Sequence, residues 1–508
     1  MISVSFYTLG CKVNQIETEA VSDAFREGGC TVLPWIEPEE NPGNGLHGSS
    51  DLCIINTCTV TSKAEQKARR IIRLCLRRGS VVMVTGCYAQ LERKELAALG
   101  EEKLFVLPGK TKDKLLDLPR YLAESRNTFP DFSADKSYLS VVIAKWLEEC
   151  GFGVKTEKEL PAADPFRFSP KHFLFHSRGF LKIQDGCDRS CAYCRVPLAR
   201  GKSVSLGSGE VLCRLKALEE GGMAEAVITA VNICQYMDPE GNIGPAGPRP
   251  GMPENRPLSL PGLLRFLLDN TEHVALRLSS LEPEFFEPGA GTDDIFAVLA
   301  HSRIRNHFHL SVQSGSDTVL AAMGRPYRAR EILRLTEKLR AARDDPFLAC
   351  DIIVGFPGET EEDFEKTVQL CRTVDFAWIH AFPYSKRPGT ASAAMKKGLV
   401  SQRAAGERMG ILMEIAREGR SGYIRRWLGK TVEAVAESPP AGKPVGSGFF
   451  PALTDNYIKV LAVSKGEKPM PGTAFRCKIE KAREPPGEFD AWAEPVIQAD
   501  ANRLLPCK

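Results

Sequence analysis

The sequence predicts an α/β protein of three parts: a doubly wound N-terminal domain, a partial TIM-like barrel of six βα units, and a small C-terminal antiparallel β-barrel. Three observations predict it. Buried-strand runs alternate with helical patterns over residues 1–110, and a second such series starts near Gly179. After Trp427 the pattern changes to short alternating strands separated by turn residues.

In the first series, "VSFYTL" (Val4–Leu9), "DLCIIN" (Asp51–Asn56), "SVVMVT" (Ser80–Thr85) and "KLFVLP" (Lys103–Pro108) read as parallel strands. Helical stretches follow at Ile16–Arg26, Ser62–Arg78 and Gln90–Leu99. "EPEENPGNGLHGSS" (Glu37–Ser50) reads as a polar loop. The second series offers "FLKIQ" (Phe180–Gln184), "AVITAV" (Ala226–Val231), "VALRLS" (Val274–Ser279), "FHLSVQ" (Phe308–Gln313), "CDIIVG" (Cys350–Gly355) and "WIHAFP" (Trp378–Pro383). Six βα units make an open barrel, with chemistry expected at the carboxyl ends of its strands. The segmentation is therefore 1–125, a linker or insertion at 126–177 with a helical piece in it, 178–410, a connecting helix at 411–427, and the terminal barrel at 428–496, an independent β unit. The Pro- and Gly-rich Asp238–Pro257 reads as a surface insertion.

Bulk composition narrows the function. At 508 residues the chain exceeds one core, and 43% hydrophobic with 26% charged residues is ordinary globular usage. A net charge of +3 means that any nucleic-acid binding rests on local patches. No apolar run approaches a membrane span, and "MISVSFYTLG" lacks the layout of a signal peptide, so the expected location is cytoplasmic, without membrane association. Sixteen cysteines in a reducing compartment point to metal or catalysis wherever they cluster.

They cluster twice. "QDGCDRSCAYCRVP" sets Cys187, Cys191 and Cys194 on a short loop directly after the first barrel strand. Structural zinc needs a fourth ligand nearby, and the loop has none. Three thiolates can hold three irons of a cubane and leave the fourth open for a substrate or cofactor. In the N-terminal domain, Cys11, Cys58 and Cys87 each follow a strand candidate, two of them after a glycine (Gly10, Gly86). Carboxyl ends of parallel strands share one sheet edge, so three cysteines far apart in sequence are expected to converge there. A buried apolar role suits Cys53 and Cys75 instead.

The C-x-x-x-C-x-x-C loop, with Tyr193 before its last cysteine, resembles the radical S-adenosylmethionine superfamily. Together with the N-terminal domain, "GCKVNQIETEA", "INTCTVTSKAEQKAR", "TGCYAQ", "RLSSLEP", "LSVQSGSDTVLAAMGRPY", "DIIVGFPGETEEDF" and "FPYSKRPGTAS", it is similar to the methylthiotransferases over nearly the whole chain. The C-terminal barrel resembles their TRAM domain, an RNA-binding module. The resemblance implies two 4Fe–4S clusters, one on Cys187, Cys191 and Cys194 and one on Cys11, Cys58 and Cys87. It also implies S-adenosyl-L-methionine, tRNA as substrate, an electron donor such as flavodoxin or ferredoxin, and a sulfur source. Tyr193, Asn232, Gln313 and Arg325 are the implied cofactor contacts, with a structural polar role as the alternative for Asn232, Gln313 and Arg325. "TAVNICQY" departs from the family pattern by placing Ala230 and Cys234 where glycines are usual, and Cys234 reads as a pocket wall.

"GCKVNQIETEA" is closest to the threonylcarbamoyladenosine branch. The isopentenyladenosine branch reads "GCQMNEYDSE" and the ribosomal-protein aspartate branch "GCPKNLVDSE". The expected product is 2-methylthio-N6-threonylcarbamoyladenosine beside the anticodon, and those two branches are the enzyme alternatives. A non-catalytic iron–sulfur RNA-binding sensor is the alternative of another class. A threonylcarbamoyl carboxylate needs a cationic partner, for which Arg200, Lys202 and Arg387 are candidates. The helix in "KARRIIRLCLRRG" (Lys67–Gly79) and "YIRRWLGK" (Tyr423–Lys430) are candidate RNA contacts or solvated faces. Phe450 and Tyr457 are candidates for base stacking or for core filling.

Overall fold

The computed structural model describes residues 1–33, 50–100, 102–128, 136–152, 164–239, 243–244, 247–248, 257–286, 293–439, 445–464, 466–484 and 487–496. These form two compact units. The first holds Met1–Phe175 together with Asp185–Asp188 and Cys194–Lys202, and the second holds His176–Gln184, Arg189–Tyr193 and Ser203 onward.

The first unit is a parallel five-stranded sheet. Its strands are β1 (Ser3–Thr8), β2 (Thr31–Leu33), β3 (Leu52–Thr57), β4 (Val81–Gly86) and β5 (Leu104–Val106), in the order β2-β1-β3-β4-β5. Every residue of β3 and β4 is buried, as a parallel sheet covered on both faces requires. The helix Lys12–Glu27 covers one face and Ser62–Arg77 the other. Thr61 caps the second helix by accepting the Ala64 N–H at 3.1 Å. The edge strand β2 was not predicted, since three half-exposed residues leave no periodicity to read. The predicted helix Gln90–Leu99 is instead two short ones, Cys87–Leu91 and Arg93–Ala97, interrupted at Glu92.

The stretch predicted as a linker builds part of this core. Lys136–Glu149 is a helix whose Leu139, Val142, Ile143, Trp146 and Leu147 pack with Phe25, Val81 and Leu118, and Phe152 and Phe168 join them. Glu19, fully buried, accepts the backbone N–H groups of Leu174 and Phe175 at 2.8 and 2.9 Å. Of the loop predicted at Glu37–Ser50, only Ser50 lies within the described residues.

The second unit carries β6 (Gly179–Asp185, its last residue in the first unit), β7 (Val204–Ser205), β8 (Glu225–Ala230), β11 (Ala275–Leu278), β12 (His307–Gln313), β13 (Phe347–Val354) and β14 (Trp378–Pro383). Between β8 and β11, the two-residue strands β9 (Ile243–Gly244) and β10 (Gly247–Pro248) pair antiparallel, and most of the predicted surface insertion lies outside the described residues. β6, β8 and β11 pair in parallel, as do β12, β13 and β14. Parallel bridges Leu276–Ile304 and Leu281–Leu310 join the two sheets. Six strands thus follow one another in chain order around a partial barrel, as predicted.

The helix Gln402–Trp427, capped by Ser401, begins earlier than the expected connecting helix. Beyond it β15 (Thr431–Ala436), β16 (Phe449–Thr454), β17 (Lys459–Val463), β18 (Ala474–Ala482) and β19 (Ala491–Pro495) close the predicted small barrel. Four of its five seams are antiparallel, and β17 with β19 is parallel. It is not an independent unit. Arg277 donates to the carbonyls of Thr454 and Asp455 at 3.1 and 3.2 Å, and the Tyr457 ring stacks on His307 with centroids 4.0 Å apart. Phe450 lies in the core with Ile458 and Ile479. Both aromatics are therefore packing residues rather than base platforms. Likewise Tyr423, Ile424 and Trp427 are buried, and Arg426 pairs with Asp345 and Asp375.

One carboxylate organises this junction. Glu225, at the start of β8, pairs with Arg277 at 2.6 Å, Arg305 at 2.8 Å and Arg178 at 3.3 Å. Burial pushes its carboxyl pKa up, but the three guanidinium groups outweigh burial and hold it well below the usual range.

Trp146→Ala is expected to destabilise the first unit by about 3–5 kcal/mol, because it empties a core site. Urea unfolding followed by circular dichroism checks this, and an unchanged midpoint would return the helix to the role of linker. Glu225→Gln is expected to cost about 3–5 kcal/mol by taking the counter-charge from the fully buried Arg277 and one of two carboxylates from Arg178 and Arg305. Because the folded pKa is depressed, the wild-type contribution is complete above the ordinary carboxylate range and lost as pH falls below it. The variant's midpoint should therefore approach the wild-type's at low pH.

Candidate functional site

Strand register brings Cys11, Cys58 and Cys87 to one edge of the first sheet. Thr8 is opposite Asn56, Asn56 opposite Thr85, and Thr57 opposite Gly86, so the chain leaves β1, β3 and β4 at neighbouring points. Cys58 and Cys87 are the next residues after the last pair. Gly10 and Gly86 let these loops close up. Gly10 has φ +112°, and a Cβ there would stand 2.9 Å from the Cys58 Cβ and 3.2 Å from its Sγ. Gly86 has φ +98°, and a Cβ would meet the Thr57 carbonyl at 2.4 Å. Any L side chain is excluded at both positions by backbone and by space.

Asn14 braces the same edge. Its Nδ2 donates to the carbonyls of Leu9 at 2.7 Å and Thr57 at 3.2 Å, tying the Cys11 loop to the Cys58 loop. Its Oδ1 accepts from Arg200 at 2.6 Å. Arg200 also donates to Glu17 at 3.1 Å and to Asp185 at 2.9 Å. Burial opposes its charge, yet Asp185, Glu17 and the thiols of Cys87 and Cys11 raise its pKa well above the ordinary value. Burial pushes the Cys58 thiol up to about 12, against the Val60 N–H that donates to its sulfur. All three are free thiols. A thiol raised like that of Cys58 stays protonated unless a metal takes up the charge of its thiolate.

The C-x-x-x-C-x-x-C loop leaves β6 at Gly186, which has φ +71°. Cys187, Cys191 and Cys194 are half-exposed. Cys187 and Cys194 belong to the first unit, and the turn between them to the second. In the first unit the Cys187 N–H donates to the Gly201 carbonyl at 3.1 Å. There Arg195 is buried against Thr59 at 3.2 Å, Glu65 at 3.4 Å and Glu92 at 2.6 Å. In the second unit, the Ala192 N–H donates to the Met323 carbonyl at 2.9 Å, and Ser392 N–H donates to the Ala192 carbonyl at 2.7 Å. "AAMGRPY" and "RPGTAS" thus grip the middle of the loop by backbone. Neither Arg195 nor this grip was foreseen. Backbone hydrogen bonds leave no residue-type signal, and the partners of Arg195 lie more than 100 residues away.

Of the predicted cofactor contacts, Arg325 stands beside Cys191 and Tyr193, whose fields act on it, and pairs with Glu282 at 2.9 Å. Arg189 pairs with Glu284. Burial pushes the Glu282 carboxyl up to about 7 against the pull of Arg325. Gln313 ends β12 in a left-handed conformation, φ +66°. The Asn232 N–H donates to Gln184 at 3.0 Å, and its Oδ1 accepts from the Cys234 N–H at 3.1 Å, which is a capping role. Cys234 is walled in: its sulfur accepts the Glu282 N–H at 3.3 Å, and burial raises its pKa far above the ordinary value. Arg200 is committed within the first unit and is not a partner for a substrate carboxylate. Lys202 is exposed and Arg387 is buried.

No helix among the described residues is long and apolar enough to cross a membrane. Residues 181–371 match the Radical SAM superfamily and residues 3–107 match the Uncharacterized protein family UPF0004. The chain is 38% identical to a Treponema pallidum protein named threonylcarbamoyladenosine tRNA methylthiotransferase MtaB, over 92% of this chain and 95% of that one. It is 32% identical to the Bacillus subtilis protein of that name, over 96% of each. It is 29% identical to an Erythrobacter litoralis tRNA-2-methylthio-N(6)-dimethylallyladenosine synthase, over 85% of each. With both family matches in place and full-length relatives at this identity, the chain belongs to the radical S-adenosylmethionine methylthiotransferases, closest to their threonylcarbamoyladenosine branch.

Proposed function

We propose that this enzyme places a methylthio group on C2 of N6-threonylcarbamoyladenosine next to the anticodon of tRNA. The observation that carries the reading is the second thiol set. Cys11, Cys58 and Cys87 follow three adjacent parallel strands, apart in sequence from the C-x-x-x-C-x-x-C loop. A radical enzyme that only activates a C–H bond has no use for it; one that must also deliver sulfur does.

Cys187, Cys191 and Cys194 would hold one 4Fe–4S cluster through three thiolates, and Cys11, Cys58 and Cys87 a second. With S-adenosylmethionine, the first cluster would supply the one-electron chemistry that activates an unreactive C–H bond. Arg325, Tyr193, Gln313 and Asn232 would line the cofactor, Arg325 charged and held in place by Glu282. The backbone grip of Met323 and Ser392 on Ala192 would fix the loop while thiolates take up metal. An electron donor such as flavodoxin or ferredoxin and a sulfur source complete the partners. The first unit would serve sulfur transfer, the partial barrel radical generation, and the C-terminal TRAM-like barrel RNA binding.

The substrate reading rests on "GCKVNQIETEA" and on the names of the relatives, 38% identity on the threonylcarbamoyl side against 29% on the dimethylallyl side. Of the cationic candidates for the carboxylate, Lys202 and Arg387 remain.

Replacing Cys11, Cys58 and Cys87 together by Ala should leave roughly half the iron of anaerobically reconstituted protein and normal cleavage of S-adenosylmethionine, with no methylthio product. Product at a near-normal rate would show that sulfur is delivered from elsewhere. Offered tRNA carrying either threonylcarbamoyl- or isopentenyladenosine, the wild-type enzyme should modify only the first, as read by nucleoside mass spectrometry. Product from the isopentenyl substrate alone would reverse the branch and leave the reaction class standing.

A further inference from the structure

The helix Ser62–Arg77 starts four residues after Cys58 and carries six basic residues against one acidic. Its apolar side, Ala68, Ile71, Ile72 and Cys75, is buried against the sheet. Lys63, Lys67, Arg70, Arg73 and Arg77 are exposed and fall within one arc of the helix, at spacings of three and four. Like charges at that spacing repel, and Lys63 sits in the first turn, where the helix dipole disfavours cations.

Some arginines elsewhere on the surface are paired: Arg26 meets Asp23 at 2.9 Å and Arg403 meets Glu407 at 2.9 Å. No acidic residue occurs between Glu65 and Glu92, and Glu65 is spent on Thr59 and Arg195. Among the described residues, no ion pair neutralises Arg70, Arg73 or Arg77, whereas Arg69, turned toward the body of the unit, meets Glu95 at 2.9 Å. In a chain of net charge +3 this is a strong local concentration of positive charge. From Lys63 to Arg77 it extends about 21 Å, long enough to follow several consecutive phosphates of one strand.

Resting on the RNA reading above, we propose that the outer face of this helix, Lys63 through Arg77, is a phosphate-backbone docking surface for the RNA substrate. It starts at the sheet edge of Cys11, Cys58 and Cys87 and runs away from it. Contact is to backbone rather than to bases, because a row of arginines on one exposed face presents charge without a pocket. It supplies affinity and orientation, and leaves the choice of nucleoside to the reaction site.

The test is tRNA binding to the reconstituted full-length enzyme by fluorescence anisotropy over a series of salt concentrations. Arg70→Glu/Arg73→Glu/Arg77→Glu is compared with Arg120→Glu/Lys145→Glu/Lys366→Glu, an equal charge change on other exposed positions. The first variant should bind at least tenfold more weakly, with a log affinity against log salt slope shallower by about two to three, while S-adenosylmethionine cleavage stays at the wild-type rate. The milder Arg70→Gln/Arg73→Gln/Arg77→Gln should fall between. Wild-type affinity and slope in the first variant, or an equal loss in the second, would overturn the proposal alone. No measurable tRNA binding by the wild-type enzyme would overturn the functional reading beneath it.

Discussion

The side-chain amide of Asn14 and the guanidinium of Arg200 hold the reactive edge of the first unit together. Parallel strands bring Cys11, Cys58 and Cys87 near one another, but register alone does not set the loops that follow the strands. Asn14 does this by donating to the Leu9 and Thr57 carbonyls at once, leaving its oxygen for Arg200. Arg200 in turn anchors on Glu17, one helical turn beyond Asn14, and on Asp185 at the end of β6. Each buried group has partners, which is the condition for keeping such charges inside a protein. Removing Arg200 would take one donor from each of Asn14, Glu17 and Asp185 at once.

The two thiol sets are built by opposite means. Cys187, Cys191 and Cys194 are neighbours in sequence, so their geometry is local and a short motif suffices to find it. Their loop still needs outside support, because few residues within it can bury anything; Met323 and Ser392 provide it through backbone hydrogen bonds. Cys11, Cys58 and Cys87 are distant in sequence and acquire their geometry from register. For that set the sheet is the scaffold, and glycines at positive φ are its cost, since each must admit a neighbour that a Cβ would strike.

This contrast explains how much was legible in the sequence. Strands and helices with strong periodicity were readable, and so were cysteines placed directly after strands, because a period-two pattern and a post-strand position both survive without tertiary knowledge. The helix Lys136–Glu149 was visible as a helix but not as core, since the partner of an apolar face is not encoded beside it. Arg200 read as a candidate for a substrate carboxylate and Arg195 drew no reading, because Glu17, Glu65 and Glu92, which they bond, lie far off in the chain, more than 100 residues away. Glu225 with Arg178, Arg277 and Arg305 is invisible for the same reason. Tyr457 was open to two readings, and only its stack on His307 decides between them.

That stack also changes how the C-terminal barrel is to be understood. A small closed β-barrel suggests a detachable module, but here the turn from Thr454 to Tyr457 is the partner of Arg277 and His307 in the larger barrel. Arg305 reaches across as well, pairing with Glu433 of β15 at 3.0 Å and with Glu225 of β8. Deleting the small barrel would strip hydrogen-bond acceptors from buried guanidinium groups and uncover the end of the radical-enzyme fold. A loss of RNA binding after such a deletion would mix recognition with damage. Charge changes on exposed positions avoid that confusion, because they alter what the surface offers to a phosphate backbone without removing any partner from the interior.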